Sequence, residues 1–149
     1  KGYDAVCYCD ILGHAQQNRN TFKHKVFKHL QGILLNRPTH VYDYSKHYKE
    51  LIGEIDKDEN VIPQIVPQWD HSPRGGRKTT IYINSTPENF AKHVRMAMEA
   101  IKGKKEEHQI LMLKSWNEWA EGNYMEPDLT HGRGYIDALR QVVEEYKDK

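Results

Sequence analysis

The chain has 149 residues, enough for about one domain with a real hydrophobic core. Lys and Arg number 22 against 21 for Asp and Glu, so the near-zero balance excludes a nucleic-acid footprint spread over the whole surface. With 38% apolar residues and ten glycines intrinsic disorder is excluded too, and no run approaches the length of a transmembrane helix.

The chain opens at Lys1 with no methionine and no apolar leader region, which reads as a cut beginning, and a cytoplasmic location is expected. "YDAVCYC" (3–9) reads as a buried strand. Cys7 and Cys9 fall on one face of it, too close for an unstrained disulfide, and are expected to be reduced, buried thiols. "FKHKVFKHLQGIL" has the helical apolar spacing Phe22, Val26, Phe27, Leu30, with His24 and His29 among lysines on a solvated face. After "VYDY", "SKHYKELIGEI" is expected to be a helix capped by Ser45. "NVIPQIVPQW" (60–69) is a strand that leaves its sheet near Pro67. "SPRGGRKTT" is a basic, flexible loop; it lacks the spacing of a P-loop, although glycine and paired arginine also suit a phosphate.

"IYINS" is a further strand. "TPENFAKHVRMAMEAI" is a helix with Pro87 in its first turn and the stripe Phe90, Val94, Ala97, Met98, Ile101. "QILMLKSW" is the clearest strand of the chain, and "GYIDALRQVVEEYK" a closing helix expected to face the core with Ile136, Leu139, Val142, Val143 and Tyr146. The histidines and cysteines show no metal-ligand spacing, so neither a metal nor another cofactor is expected.

Strand and helix in alternation imply an α/β fold with a parallel sheet over a single domain, 1–149. Two architectures fit: an open parallel sheet, or part of a (β/α)8 TIM-like barrel, since a whole barrel needs about 250 residues. Both place ligands beyond the carboxyl ends of the strands. That rule singles out "VPQWDHSPR" and "SWNEWAEG", each directly after a strand.

The second of these, extended to "KSWNEWAEGNYMEPD" (114–128), holds the chemistry. Glu118 and Glu121 are three residues apart, which on a tightly turned backbone puts their Cβ atoms about 5 to 6 Å from each other. Carboxyl groups about 5 Å apart are what a retaining glycosidase uses, one acting on the sugar and one as general acid and then base. Trp116 and Trp119 offer flat apolar faces for a sugar ring, and Asn117, Tyr124 and Glu126 offer partners for its hydroxyls. The plainer alternative is a solvated loop whose tryptophans close the core.

"WNEWAEGNYMEPD" and "GRGYIDAL", with the upstream "PQWDHSPRGGRK" and "IYINSTPENF", resemble the C-terminal part of the WbsX-type glycosyltransferase family, which is similar in turn to glycoside hydrolase family 99, the endo-α-mannosidases. The resemblance runs from about residue 60 to the end and is weaker before it. It implies about half of a TIM-like barrel acting on bacterial surface polysaccharide or lipopolysaccharide. It also implies that Glu118 deprotonates a sugar 2-hydroxyl and that Glu121 is the general acid/base. "WDHSPR" matches a Tyr-Asp-Asn-Thr segment followed by arginine through Asp70 and Arg74, which adds these two and Trp69 to the substrate-binding candidates. A complete family domain is about twice as long, so the chain is expected to be a piece of a longer protein or to pack against a second copy.

Two functional classes follow. One is a carbohydrate-active enzyme acting on a glycan or a sugar nucleotide. The other is a noncatalytic glycan-binding or scaffold segment of the same family.

Overall fold

The computed structural model describes residues 2–8, 26, 30, 34, 40–76 and 79–147. Short apolar segments form parallel strands, and amphipathic helices pack against them. The elements in order are β1 (Val6–Tyr8), β2 (His40–Asp43), α1 (Tyr44–His47), β3 (Val61–Ile65), α2 (Ser72–Gly75) and β4 (Thr80–Ile83), then α3 (Pro87–Ile101), β5 (Met112–Leu113), β6 (Asn117–Glu118), β7 (Asn123–Tyr124) and α4 (Gly134–Tyr146). Val26, Leu30 and Leu34 are helical and exposed, in the region where the sequence predicts a helix. Phe22, Phe27, His24, His29, Cys9, Arg77 and Lys78 lie outside the described residues.

The parallel strands pair with every second strand of the chain. β3 lies between β1 and β5, β2 lies beside β4, and all of these pairs are parallel. The fold is therefore α/β with parallel sheets, and the described strands close no barrel. The two sheets are joined where the chain leaves β3. Tyr82 N–H donates to the Trp69 carbonyl at 2.8 Å, and Asp70 bridges Ile81 in antiparallel sense. Pro63 is tolerated inside the central strand because the register with β1 ends at it and the register with β5 begins at Gln64. Cys7 is exposed rather than buried: its partner across the ladder is Ile62, and its thiol lies 3.8 Å from the Gln64 amide on the uncovered side.

The helix expected after a Ser45 cap begins two residues earlier, at Tyr44, and is much shorter. Asp43 is its cap, accepting from Ser45 N–H at 3.1 Å and from the Ser45 hydroxyl at 2.6 Å. Tyr44 is drawn into the core as the first helical residue, and the segment then continues as separate 3-10 turns over Tyr48–Glu50 and Glu54–Lys57. Asp56 starts the second of these by accepting from Gly53 N–H at 2.7 Å.

α3 has Thr86 as N-cap, Pro87 in its first turn, and Phe90, Val94, Ala97 and Ile101 buried as its spacing predicts. α4 lays Leu139, Val142 and Tyr146 against the core as expected, with its most buried line passing through Tyr135 and Ala138 rather than Val143. Tyr135, Ala138 and Val142 are buried and Val143 is exposed, because the Tyr135 hydroxyl donates to the Ser85 carbonyl while its ring packs 5.7 Å from Phe90. A second cluster of Tyr42, Tyr44, Tyr48, Val66, Trp69 and Tyr82 fills the space under the strand ends.

A polar link runs through this core. The Tyr44 hydroxyl gives its one hydrogen to the Val66 carbonyl at 2.6 Å, so His93 Nδ1–H donates to the phenol oxygen at 2.8 Å. His93 is fully buried, and that burial lowers its pKa from 6.5 to about 4. The unfolded chain therefore takes up this proton first as pH falls. The contribution is complete above pH 6.5 and is lost on the way down to about pH 4, by on the order of 3 kcal/mol in total. Urea unfolding measured from pH 7 to pH 4 should show this decline, and a His93→Gln variant should lack most of it over the same window.

Candidate active site

Parallel pairing of β3 with β5 delivers Val66–His71 and Lys114–Trp119 to the same end of the sheet, where Lys114 N–H donates to the Ile65 carbonyl at 2.9 Å. Both segments carry the residues singled out by the strand-end rule.

The acidic segment is a tight antiparallel hairpin. β6 and β7 pair Asn117 with Tyr124 and Glu118 with Asn123, and a 3-10 turn over Trp119–Glu121 forms the tip. Gly122 ends that turn in the left-handed conformation, at φ 50° and ψ 35°, with its N–H donating to the Trp119 carbonyl. A Cβ at Gly122 would stand 2.9 Å from Asp70 Cβ and 3.1 Å from Asp70 N. The absent side chain is what lets Asp70 N–H donate to the Glu121 carbonyl at 2.9 Å. Asp70 is thus a joint between the two loops: its backbone holds Glu121, and its carboxylate accepts from Ser72 N–H at 2.9 Å to start α2.

α2 carries Arg74 to the acids. Arg74 Nη1 donates to Glu121 Oε1 at 2.9 Å and Nη2 donates to Glu118 Oε1 at 3.2 Å. One guanidinium therefore faces both carboxylates, offsetting their mutual repulsion and turning them toward one point. Glu121 is the deeper acid, with 18% of its side chain exposed against 37% for Glu118. Ser115 fixes the strand before it, its hydroxyl accepting from Glu118 N–H at 3.1 Å.

The aromatic candidates divide. Trp119 stacks on Tyr124 with ring centroids 3.7 Å apart and planes 15° from parallel, and its Nε1–H donates to Glu126 at 2.6 Å. Glu126 therefore anchors the indole. Trp119 and Trp116 remain 48% and 51% exposed beside the acids, and Asn117 is exposed next to them. Trp69 is only 8% exposed, with the His71 ring stacked near it and Lys114 Nζ 4.9 Å from its ring, so it forms floor rather than platform. Burial and the nearby charge of Asp128 raise the Tyr124 pKa, which keeps its phenol a donor. An open cavity of about 350 Å³ adjoins the pair, lined by Gln68, Trp69, Asp70, Tyr82, Asn84, Ser85, Gly122 and Tyr124. Asn84, just past β4, has a φ of 59° at its rim.

The sequence reading missed His71, Thr79, Gln68 and Ser115. The signal for His71 was its position inside "WDHSPR", between Asp70 and Arg74. The basic loop singled out as a phosphate candidate contributes Arg74 to the acids; its Arg77 and Lys78 lie outside the described residues. Among the described residues no group of three or more His, Cys, Asp or Glu is arranged to hold a metal ion, and no helix is long and apolar enough to cross a membrane.

Comparison with known proteins agrees with the motifs. The family model described as "Glycosyltransferase WbsX" matches residues 1–139. The chain belongs to the glycosyltransferase WbsX family. Among curated proteins it is 29% identical over 104 residues to "Uncharacterized protein WxcX" of Xanthomonas campestris pv. campestris strain B100, covering 69% of this chain and 15% of that protein. The protein of the same name from strain ATCC 33913 is 31% identical over 101 residues, covering 64% of this chain and 14% of that protein. The chain thus spans about a seventh of the length of these relatives. No solved structure gives a significant match.

The joint at Gly122 yields a direct test. Gly122→Ala adds a Cβ against Asp70 at a left-handed position, and is expected to lower unfolding stability by about 1 to 3 kcal/mol. Urea denaturation measures the loss.

Proposed function

We propose that this chain carries the acid pair of a carbohydrate-active enzyme of bacterial surface polysaccharide or lipopolysaccharide metabolism, with glycosidase-like chemistry. The single observation that carries the reading is the Arg74 guanidinium donating to Glu118 and Glu121 together at the carboxyl end of the sheet. Membership of the glycosyltransferase WbsX family supports sugar as substrate. The exposed faces of Trp116 and Trp119 and the adjoining cavity, large enough for a sugar ring, support it as well.

In this reading the Glu118 carboxylate removes the proton of the sugar 2-hydroxyl. The freed O2 electron pair attacks the anomeric carbon, and the C1–O bond to the leaving group breaks as Glu121 donates its proton to the departing oxygen. The product of that step is an anhydro sugar and a free hydroxyl. A water or an acceptor hydroxyl then attacks C1, giving its proton to Glu121, as the C1–O2 bond breaks and O2 recovers its proton from Glu118. Hydrolysis and transfer share every group except the final acceptor. Arg74 turns to the substrate in this scheme, because the sugar has to reach both carboxylates.

Trp119, fixed by Tyr124 on one face and Glu126 at its edge, supplies a platform with little freedom left to lose on binding. Asp70, Arg74, Asn117, Trp69 and Trp116 complete the substrate side.

The test is turnover of a reducing-end-labelled mannose oligosaccharide by the wild-type chain and by Glu118→Gln and Glu121→Gln. Each variant is expected to bind the oligosaccharide and to lose turnover by about 100-fold or more. Binding by all three with no turnover in any would favour the noncatalytic glycan-binding reading, and turnover unchanged in the variants would end the assignment of the acids.

A further inference from the structure

We propose that His71 is a positioning residue for Glu121, holding one carboxylate oxygen so that the other faces the substrate. This deepens the acid-pair reading and rests on it. His71 Nε2 lies 3.5 Å from Glu121 Oε1, the same oxygen that Arg74 Nη1 reaches at 2.9 Å. Oε1 is therefore bracketed by two nitrogens from one loop, while among the described residues the Glu118 carboxylate is paired with Arg74 alone, at 3.2 Å. If Arg74 turns to substrate, the His71 Nε2 contact remains beside Glu121 Oε1.

The imidazole is itself held from several directions. Its Nδ1 is 3.1 Å from the hydroxyl of Thr79, a buried residue. With Nδ1 beside the Thr79 hydroxyl, Nε2 is the ring nitrogen that faces Glu121. The ring stacks on Trp69 with centroids 5.9 Å apart and planes 19° from parallel. The His71 carbonyl accepts from Gly75 N–H at 2.8 Å and from Arg74 N–H at 3.2 Å, which ties the histidine to the turn that carries Arg74. Gly75 leaves room for this: a Cβ there would meet His71 Nδ1 at 2.9 Å and Thr79 Oγ1 at 3.0 Å. Among the described residues the charged groups facing the imidazole are Glu121 from the hairpin tip and Arg74 from α2, with Lys114 on the ring of Trp69 beyond. A side chain that only filled space at the surface would not be fixed from so many directions with its free nitrogen on the deeper of two acids.

The test uses the whole chain and the labelled mannose oligosaccharide, with circular dichroism and unfolding midpoints to establish that each variant is folded. His71→Ala is expected to lower kcat by about 10- to 100-fold with KM little changed. His71→Asn, whose amide also offers an N–H toward Glu121, should recover much of the loss, and Thr79→Val, which keeps the imidazole but frees its far side, should fall between. Independently of turnover, the ¹³Cδ resonance of Glu121 at neutral pH should move in His71→Ala while that of Glu118 stays. Wild-type kcat in His71→Ala alongside loss in Glu121→Gln, a rise in KM alone, or an unmoved Glu121 resonance would each overturn the role given to His71 and leave the acid pair standing. A moved Glu121 resonance with turnover unaffected by Glu118→Gln and Glu121→Gln would support the contact and overturn the catalytic reading beneath it.

Discussion

The candidate site depends on one backbone hydrogen bond, from Asp70 N–H to the Glu121 carbonyl. The loop after β3 brings Arg74 and His71, and the hairpin after β5 brings Glu118 and Glu121; nothing in either segment alone makes a site. Asp70 can reach Glu121 only because the next residue, Gly122, has no side chain and turns through a left-handed conformation. On its other side the same loop is hydrogen-bonded to β4, so the joint also ties the β2–β4 sheet to the β1–β3–β5 sheet. A single contact thereby couples the assembly of the fold to the assembly of the acids.

The ionic contacts at the site are read as geometry rather than as stability. Arg74 and both glutamates are partly open to water, where such pairs contribute little to folding. Their use is to aim. The guanidinium spans two carboxylates that would otherwise repel, and the imidazole of His71 adds a second nitrogen to the oxygen of Glu121 that lies deeper. The support beneath is apolar and aromatic. Trp69, Tyr44 and Tyr82 pack under the strand ends, and the Tyr44–His93 link fixes the end of β3 from below.

How far the sequence led differs from element to element, for physical reasons. The site segments were legible because strand ends in parallel sheets are where ligands collect, and because Glu118, Glu121, Trp116 and Trp119 are chemically conspicuous there. α3 was legible because its cap, its first-turn proline and its apolar stripe agree. The helix after β2 was not, since a side-chain contact of Asp43 and the burial of Tyr44 decide its start and no periodicity encodes either. The spacing of α4 foretold the packing of Leu139, Val142 and Tyr146, but not the burial of Tyr135, which depends on its reach to Ser85, fifty residues away. The pairing of alternate strands and the role of His71 are likewise tertiary: histidine in "WDHSPR" acquires meaning only once Thr79, Trp69 and Glu121 surround it.

The central claim is that two loops, distant in sequence, form one sugar-binding surface. The most direct measurement is a ¹H–¹⁵N NMR titration of the chain with a mannose oligosaccharide, with assigned backbone resonances. The account predicts that amides of residues 69–76 and 116–126 shift together with one binding curve, while those lining the separate groove of Gly53, Lys57, Arg95 and Glu99 stay still. Shifts confined to one loop, or centred on that groove, would contradict it.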